Sequence, residues 1–500
     1  MVNSIPLFVV IPLGCAFILP VIGRRWERAG DLFANLVTVT LLGLAIWSVR
    51  FIRETTVYHV GGWGAVNGIP IGIYLVRDGL SIFMLVVVNL IAFVATLYSI
   101  NYMEHFTDKT KYYTLFMLML AGMNGVILTG DFFNLYVFME IAAIASYALV
   151  AFGTEADELE AAFKYQVMGS VGSGFILLGI ILLYSYTGTL NMADVGRVIL
   201  DKGTSNLVWF VNVLFIVGFG LKAAVVPFHM WLPDAHPSAP APISAMLSGV
   251  LIESIGVYPL TRIMYNVIGF DGVLSNILIV LAIISMMIGG LLALWQWDYK
   301  RLLAYSSISQ VGYILLGIGL GTPLGLLGAL FHLFNHSAFK GLLFLDSGSI
   351  VYSVGTRDLR EMGELDRRMP ITSKTNLVAA MSIAGVPPFN GFWSKLIIII
   401  ACIQAGRYGV AGWAILGSIL TFAYILKAER YAFYGKAGKA GRDLADVKES
   451  PPFMCVALII LAVICVVAGL MLLPNVRETI LFPVVNTLTS GTEYIWRVLR

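Results

Sequence analysis

VNVLFIVGFGLKAAVVPFHMWLP, residues 211–233, is an apolar run interrupted by one charge, Lys222, and by Pro227 five residues later. Proline removes a backbone donor and frees carbonyls one turn earlier, so this helix breaks beside its lysine. At membrane depth such a break is tolerated only where it is buried in protein or lines a cavity. The run is typical of its surroundings. Hydrophobic residues make up 59% of the 500-residue chain, charged residues 12%, and the mean hydropathy is +0.86. Soluble domains hold roughly 45–50% apolar residues. Water is therefore not the main solvent of this chain. A bilayer core takes roughly 20 apolar residues per helical span, and about fourteen such stretches occur.

The spans are expected near 3–22, 32–51, 79–101, 112–129, 131–152, 160–186, 206–230, 241–266, 273–297, 302–320, 324–352, 372–404, 407–432 and 452–474. The first of them lacks a preceding basic region and a small-residue cleavage site, so it reads as a membrane helix and not as a leader. An even number of crossings puts both termini on one side. Arginine and lysine decide which side, because positive charge is retained in the cytoplasm. Loops after odd-numbered spans hold most of it, from Arg24, Arg25 and Arg28 through Lys300, Arg301 and Arg357 to Lys436, Lys439, Arg442 and Lys448. Loops after even-numbered spans hold Arg50, Arg53, Arg77, Arg197, Lys202, Arg262 and Arg407. Both termini are expected outside, with the protein in a prokaryotic cytoplasmic membrane. From Val57 to Ile73, in VYHVGGWGAVNGIPIGIYLV, alternating apolar residues around glycines predict a short external hairpin.

The formal charge of +3 is spread over loops, so no nucleic-acid partner is indicated. Cys15, Cys402, Cys455 and Cys465 lie inside apolar stretches without a CxxC spacing, which suggests neither zinc, nor a cluster, nor a disulfide framework. No flavin or nucleotide fingerprint occurs, so no cofactor and no redox site is expected in this chain. The longest polar connection, 435–450, is too short for a separate soluble domain.

A charge in hydrocarbon costs at least about 2.5 kcal/mol and marks a functional site by default. Glu140 sits in the middle of DFFNLYVFMEIAAIASYALVAF, residues 131–152, and Lys395 follows a second break, Pro387-Pro388, in GVPPFNGFWSKLIIIIACI, residues 385–403. Paired interrupted helices at corresponding places in two halves point to a transport site built from inverted repeats. The halves would be 111–266 and 267–434, between an N-terminal region at 1–110 and a final helix and tail at 435–500. A desolvated ammonium loses its proton readily and a nearby carboxylate holds it on, so a movable Glu140 beside Lys222 would make a switch. A static pair that only fixes packing is the alternative.

His332, His336 and Lys340, in FHLFNHSAFKGLLFL at 331–345, recur every four residues and share one helix face. Proton relay is favoured over metal binding, since no HExxH pattern or third ligand accompanies them. Histidines donating to backbone carbonyls are the plainer alternative. His229, His236 and Asp234 lie in a Pro-rich re-entry where they could shape the turn, Lys164 could reach the interface, and Asp346 is deep but without an assigned role.

At LKAAVVPFHMWLPDAHPSAPAPISAMLSGVLI, residues 221–252, the chain resembles the antiporter-like subunits shared by respiratory complex I, Mrp-type cation/proton antiporters and membrane-bound hydrogenase-type complexes. DYKRLLAYSSISQVGYILLGI at 298–318 and the two stretches around His336 and Lys395 carry the same resemblance. It implies fourteen helices with two inverted five-helix repeats, and half-channels joined by a line of charges. Glu140 would match the family's helix-five glutamate, Lys222 its helix-seven lysine, His332 and His336 its helix-eleven histidines and Lys395 its helix-twelve lysine. The family's helix-eight pattern, like LLKxGxY, departs here to LIESIGVYPLTR at 251–262. Ser254, or Glu253 if the register slips, takes the lysine's place, and a carboxylate there would invert the local charge. The short segment after Phe482 and the surroundings of Glu140 resemble the Mrp-D-like and hydrogenase-type branch.

The resemblance implies a proton- or sodium-translocating subunit of a redox-driven complex. Its partners would be related antiporter-like and small membrane subunits and a hydrophilic redox arm. Iron–sulfur clusters, with or without nickel–iron, would lie in those partners. A subunit of a gradient-driven cation/proton antiporter is the second reading, and a scaffold with an inactive ion path the third.

Overall fold

Helix dominates because the backbone inside hydrocarbon must satisfy its own hydrogen bonds. A computed structural model describes residues 2–26, 28–66, 68–106, 108–435 and 447–500. In it, 11 helices are long and apolar enough to cross a membrane, among them Phe132–Val150, Ala156–Thr187, Ala241–Ile268, Tyr299–Gly319 and Tyr408–Tyr434. Several helix starts are marked by side chains that accept otherwise orphaned backbone N–H groups: Asp78, Asp131, Asp271 and Asp298. Ala241–Ile268 is wholly enclosed and Tyr299–Gly319 is enclosed apart from Arg301, whereas Ala29–Phe51 turns most of its surface outward. Exposed side chains such as Leu36, Phe163 and Val463 are apolar, as a lipid-facing surface requires.

The Pro323–Val354 helix runs through the enclosed region and carries His332, His336 and Lys340 on its buried side. The two predicted breaks are present. Asn206–Lys222 stops and the chain resumes helix at Leu232–Ser238, while Pro370–Ala384 stops and resumes at Asn390–Gln404. Gly385, at φ +79, closes the first half of the second pair. Gly391 opens the next half in contact with it, and a Cβ there would collide with the Ser382 carbonyl oxygen. Gly391→Ala is therefore expected to destabilise the chain by about 1–3 kcal/mol or more, seen as an earlier thermal loss of the monodisperse peak in detergent.

The predicted hairpin is two short antiparallel ladders. Thr56–His59 pairs with Tyr74–Arg77, and Ala65–Val66 with Ile69–Pro70. The N-terminal turn packs on the outer ladder. Arg53 donates to the Glu478 carbonyl and Asn266 to that of Thr487, so the C-terminal helices lie at this same end.

Three charges expected in loops are buried instead. Arg262 makes a two-pronged pair with Asp78 at 2.6 and 2.7 Å, a neutralisation that lets both leave water. Arg77 is buried over the Phe51 ring. Lys300 is buried with its ammonium donating to the Ala239 carbonyl at 2.7 Å, which caps the short Leu232–Ser238 helix. Lys436, Lys439 and Arg442 lie outside the described residues.

Candidate functional site

The first break is closed by its neighbours. Val225 N–H returns to the Gly220 carbonyl, Val226 N–H donates to the Ser285 hydroxyl at 3.1 Å, and Trp231 Nε1 donates to the Leu221 carbonyl at 3.0 Å. Lys222, the last helical residue, is thereby fixed at the break. The central helix presses on the same place, since a Cβ on Gly256 would stand 2.7 Å from the Ala223 amide nitrogen.

Lys222 Nζ lies 3.5 Å from Glu140 Oε1 and donates to the Tyr147 hydroxyl at 3.3 Å. The lysine side chain is 1% exposed and that of Glu140 23%. Glu140 also accepts a hydrogen bond from Ser173, on the neighbouring Ala156–Thr187 helix. Tyr147 packs edge-on to Tyr165, which stacks on Trp231, so an aromatic wall backs the lysine. This pair is the one expected from sequence. Tyr147 and Ser173 carried no sequence signal of their role, being a phenol and a hydroxyl among many in apolar helices.

Glu253 and Ser254 part company in the folded chain. Glu253 is fully buried, its Oε1 2.7 Å from His336 Nδ1 and its Oε2 accepting from Ser337 at 2.8 Å. The Ser254 hydroxyl donates to the Leu251 carbonyl of its own helix at 3.2 Å. Residues 247–251, 253–257 and 263–268 wind with i→i+5 hydrogen bonds, which insert a residue per turn and rotate the faces.

The rest of the buried line is carried by Pro323–Val354 and by the second break. His332 Nδ1 is 2.9 Å from the Ser394 hydroxyl. Lys340 donates to the Leu303 carbonyl at 2.8 Å and to the Ser306 hydroxyl. Lys395 donates at 2.7 Å to the Ile383 carbonyl, one left without a helical partner by the interruption, and lies 4.9 Å from the centre of the Tyr313 ring. The Nε2 atoms of His332 and His336 are buried without a hydrogen-bond partner. A ring nitrogen in that state can take up or pass on a proton once water or a neighbour reaches it. Among the described residues no direct hydrogen bond joins Lys222 to Glu253 or His336 to Lys340.

The lesser candidates separate as well. Lys164 is half-exposed and paired with Glu160 at 2.7 Å and Asp234 at 3.1 Å, away from the buried line. His236 is buried against Phe344 with neither ring nitrogen bonded. Among the described residues no three His, Cys, Asp or Glu side chains converge to hold a metal.

Comparison with known proteins places this geometry. The family described as NADH:quinone oxidoreductase/Mrp antiporter, TM, matches residues 129–421, and the complex I chain 5 N-terminus family matches residues 63–113. The NADH-quinone oxidoreductase subunit N of Desulforudis audaxviator is 35% identical over 481 residues, covering 93% of this chain and 95% of that one. A chain of the Mrp complex from Dietzia sp. superposes with a TM-score of 0.91 at 29% identity, covering 100% of this chain and 99% of the other. A chain of the membrane-bound sulfane sulfur reductase, an archaeal respiratory membrane complex, gives 0.89 at 31% identity, with 99% of each covered. By matched sequence and by fold, this chain belongs to the NADH:quinone oxidoreductase/Mrp antiporter transmembrane family, as an antiporter-like membrane subunit.

Proposed function

We propose that this chain translocates protons or sodium ions as the antiporter-like subunit of a multi-subunit, redox-driven energy-converting complex. The observation that carries it is Lys222 buried at a helix break, 3.5 Å from a glutamate. Glu140 and Lys222 would form the switch at one end of a line continuing through Glu253, His336, His332, Lys340 and Lys395. Motion that separates Glu140 from Lys222 leaves an uncompensated ammonium in a desolvated place and favours release of its proton. The break beside Lys222, with its backbone groups tied to Ser285 and Trp231, supplies a hinge where such motion need not unwind a regular helix. Pro227, Pro387 and Pro388 would set the two hinges.

Fourteen crossings, ten of them in two inverted five-helix repeats at 111–266 and 267–434, agree with one broken helix bearing one lysine in each half. Termini facing outward are supported by the basic residues at the opposite end, Arg24, Arg301, Arg357 and Lys374 among them. The remaining exposure of Glu140 at membrane depth implies a neighbouring membrane subunit over it, because a carboxylate is not left facing lipid. A hydrophilic arm with iron–sulfur clusters, with or without nickel–iron, would supply the energy, and the resemblance to the sulfane sulfur reductase chain favours it. The second reading, a gradient-driven cation/proton antiporter, is favoured by the equally close Mrp chain. An inactive scaffold is disfavoured by Glu253, which keeps a titratable group in the helix-eight position.

Purification from native membranes in mild detergent through a tag on this chain, with identification of co-purifying subunits and their metals, separates the first two. Iron- or nickel-bearing partners are expected. Small membrane subunits alone, without iron, would move the assignment to the antiporter.

A further inference from the structure

Among the described residues, two carboxylates outside this line are buried without counter-charges. Asp346, on Pro323–Val354, is fully buried, and its Oδ2 has no hydrogen-bond partner. Glu429, on Tyr408–Glu429, is 4% exposed, and neither of its oxygens is bonded among the described residues. Among the described residues no Lys, Arg or His makes an ion pair with either, and the acidic groups acting on Asp346 are Glu429 and Glu449. An isolated ionised carboxylate is expensive in such surroundings, so each acid is a place where a proton can be held. Sodium would need several converging oxygens, and among the described residues no such group of acids is formed.

Asp346 is linked to the end of the bundle by a ladder on Pro370–Ala384, the helix that also packs against the Tyr408–Glu429 helix carrying Glu429. Glu449, half-buried at the mouth, accepts from the Ile371 N–H at 2.7 Å and the Thr372 hydroxyl at 2.6 Å. One turn deeper the Thr375 hydroxyl reaches Asp346 Oδ1 at 2.9 Å. The next residue, Asn376, bonds the Tyr299 hydroxyl at 2.8 Å, and Tyr299 lies within electrostatic reach of both Glu429 and Asp346. The same helix ends by offering its Ile383 carbonyl to Lys395. Lys340 lies six residues from Asp346, about 9 Å along their shared helix.

We infer that Glu449, Thr372, Thr375, Asp346 and Glu429 form a proton access path. It opens at the Glu449 end and delivers protons to the Lys340 and Lys395 part of the buried line. Glu449 would collect protons at the mouth, the two threonine hydroxyls would hand them inward, and Asp346 with Glu429 would store them next to the line. This rests on the translocation reading above, and the test is arranged to tell the two failures apart.

The whole complex, reconstituted in vesicles, carries Asp346→Asn, Glu429→Gln, Asp346→Glu or Glu140→Gln. Asp346→Asn and Glu429→Gln are expected to slow proton uptake at least about tenfold, and Asp346→Glu to recover most of the rate, since only a titratable group restores transfer. Native uptake in both amide variants with Glu140→Gln inactive overturns the path and leaves the translocation reading standing. Native uptake in all of them removes both. An Asp346→Glu variant as slow as Asp346→Asn would show a fixed packing role and overturn the path. Should the Asp346 variants fail to assemble, dicyclohexylcarbodiimide is applied to the unaltered complex, because it reacts with protonated carboxyls in apolar sites. Adducts on Asp346 or Glu429 in peptide mass spectra support the path, and their absence on both overturns it.

Discussion

Glu140→Gln and Lys222→Ala are each expected to reduce ion movement by the reconstituted complex to background while the complex still assembles. Removing one partner of a buried ion pair costs roughly 3–5 kcal/mol. The partial exposure of Glu140 places this stability cost near the lower end, and separately a loss of ion movement of at least about a hundredfold is at least about 2.7 kcal/mol in the barrier. Assembly survives for local reasons. In Glu140→Gln the amide oxygen still accepts from the Ser173 hydroxyl, and with Lys222 gone Glu140 retains that bond and its partial exposure. The measurement is pH-gradient formation in vesicles, with complex yield from size exclusion as the control. Unchanged transport in both variants would remove the assignment of the switch.

Glu253→Gln is expected to lower transport at least about tenfold, whereas Ser254→Ala leaves it within about twofold, because removing an exchangeable carboxyl differs in kind from removing one local hydroxyl bond. In Glu253→Gln the amide can still accept from Ser337 and bond His336, so the packing stays and only the titratable group is lost. The same vesicle assay decides it. Equal effects of the two substitutions would mean that the helix-eight position acts through packing and not through its carboxylate.

The membrane character, the all-helical class and the two breaks were legible in the sequence because they depend on local facts: apolar runs of sufficient length, a proline after a lysine, a proline pair before another. Glu140 and Lys222 stood out for the same reason, as lone charges in apolar runs. The loop assignments of Arg77, Arg262 and Lys300 failed because a charge near a span end reads alike whether it meets water or a buried partner. Only the folded chain brings Asp78 to Arg262, or the Ala239 carbonyl to Lys300.

Sequence alone thus determined the solvent of this chain, where two of its helices break and that lone charges within apolar runs, such as Lys222 and Lys395, are buried. The tertiary structure decided what those charges face. It set Glu253 against His336 and turned the Ser254 hydroxyl to its own helix, in a segment whose i→i+5 winding leaves no mark in the spacing. It also set Thr375 against Asp346 and left Glu429 unpaired, because contacts between residues far apart in the chain depend on how helices pack and not on any one helix.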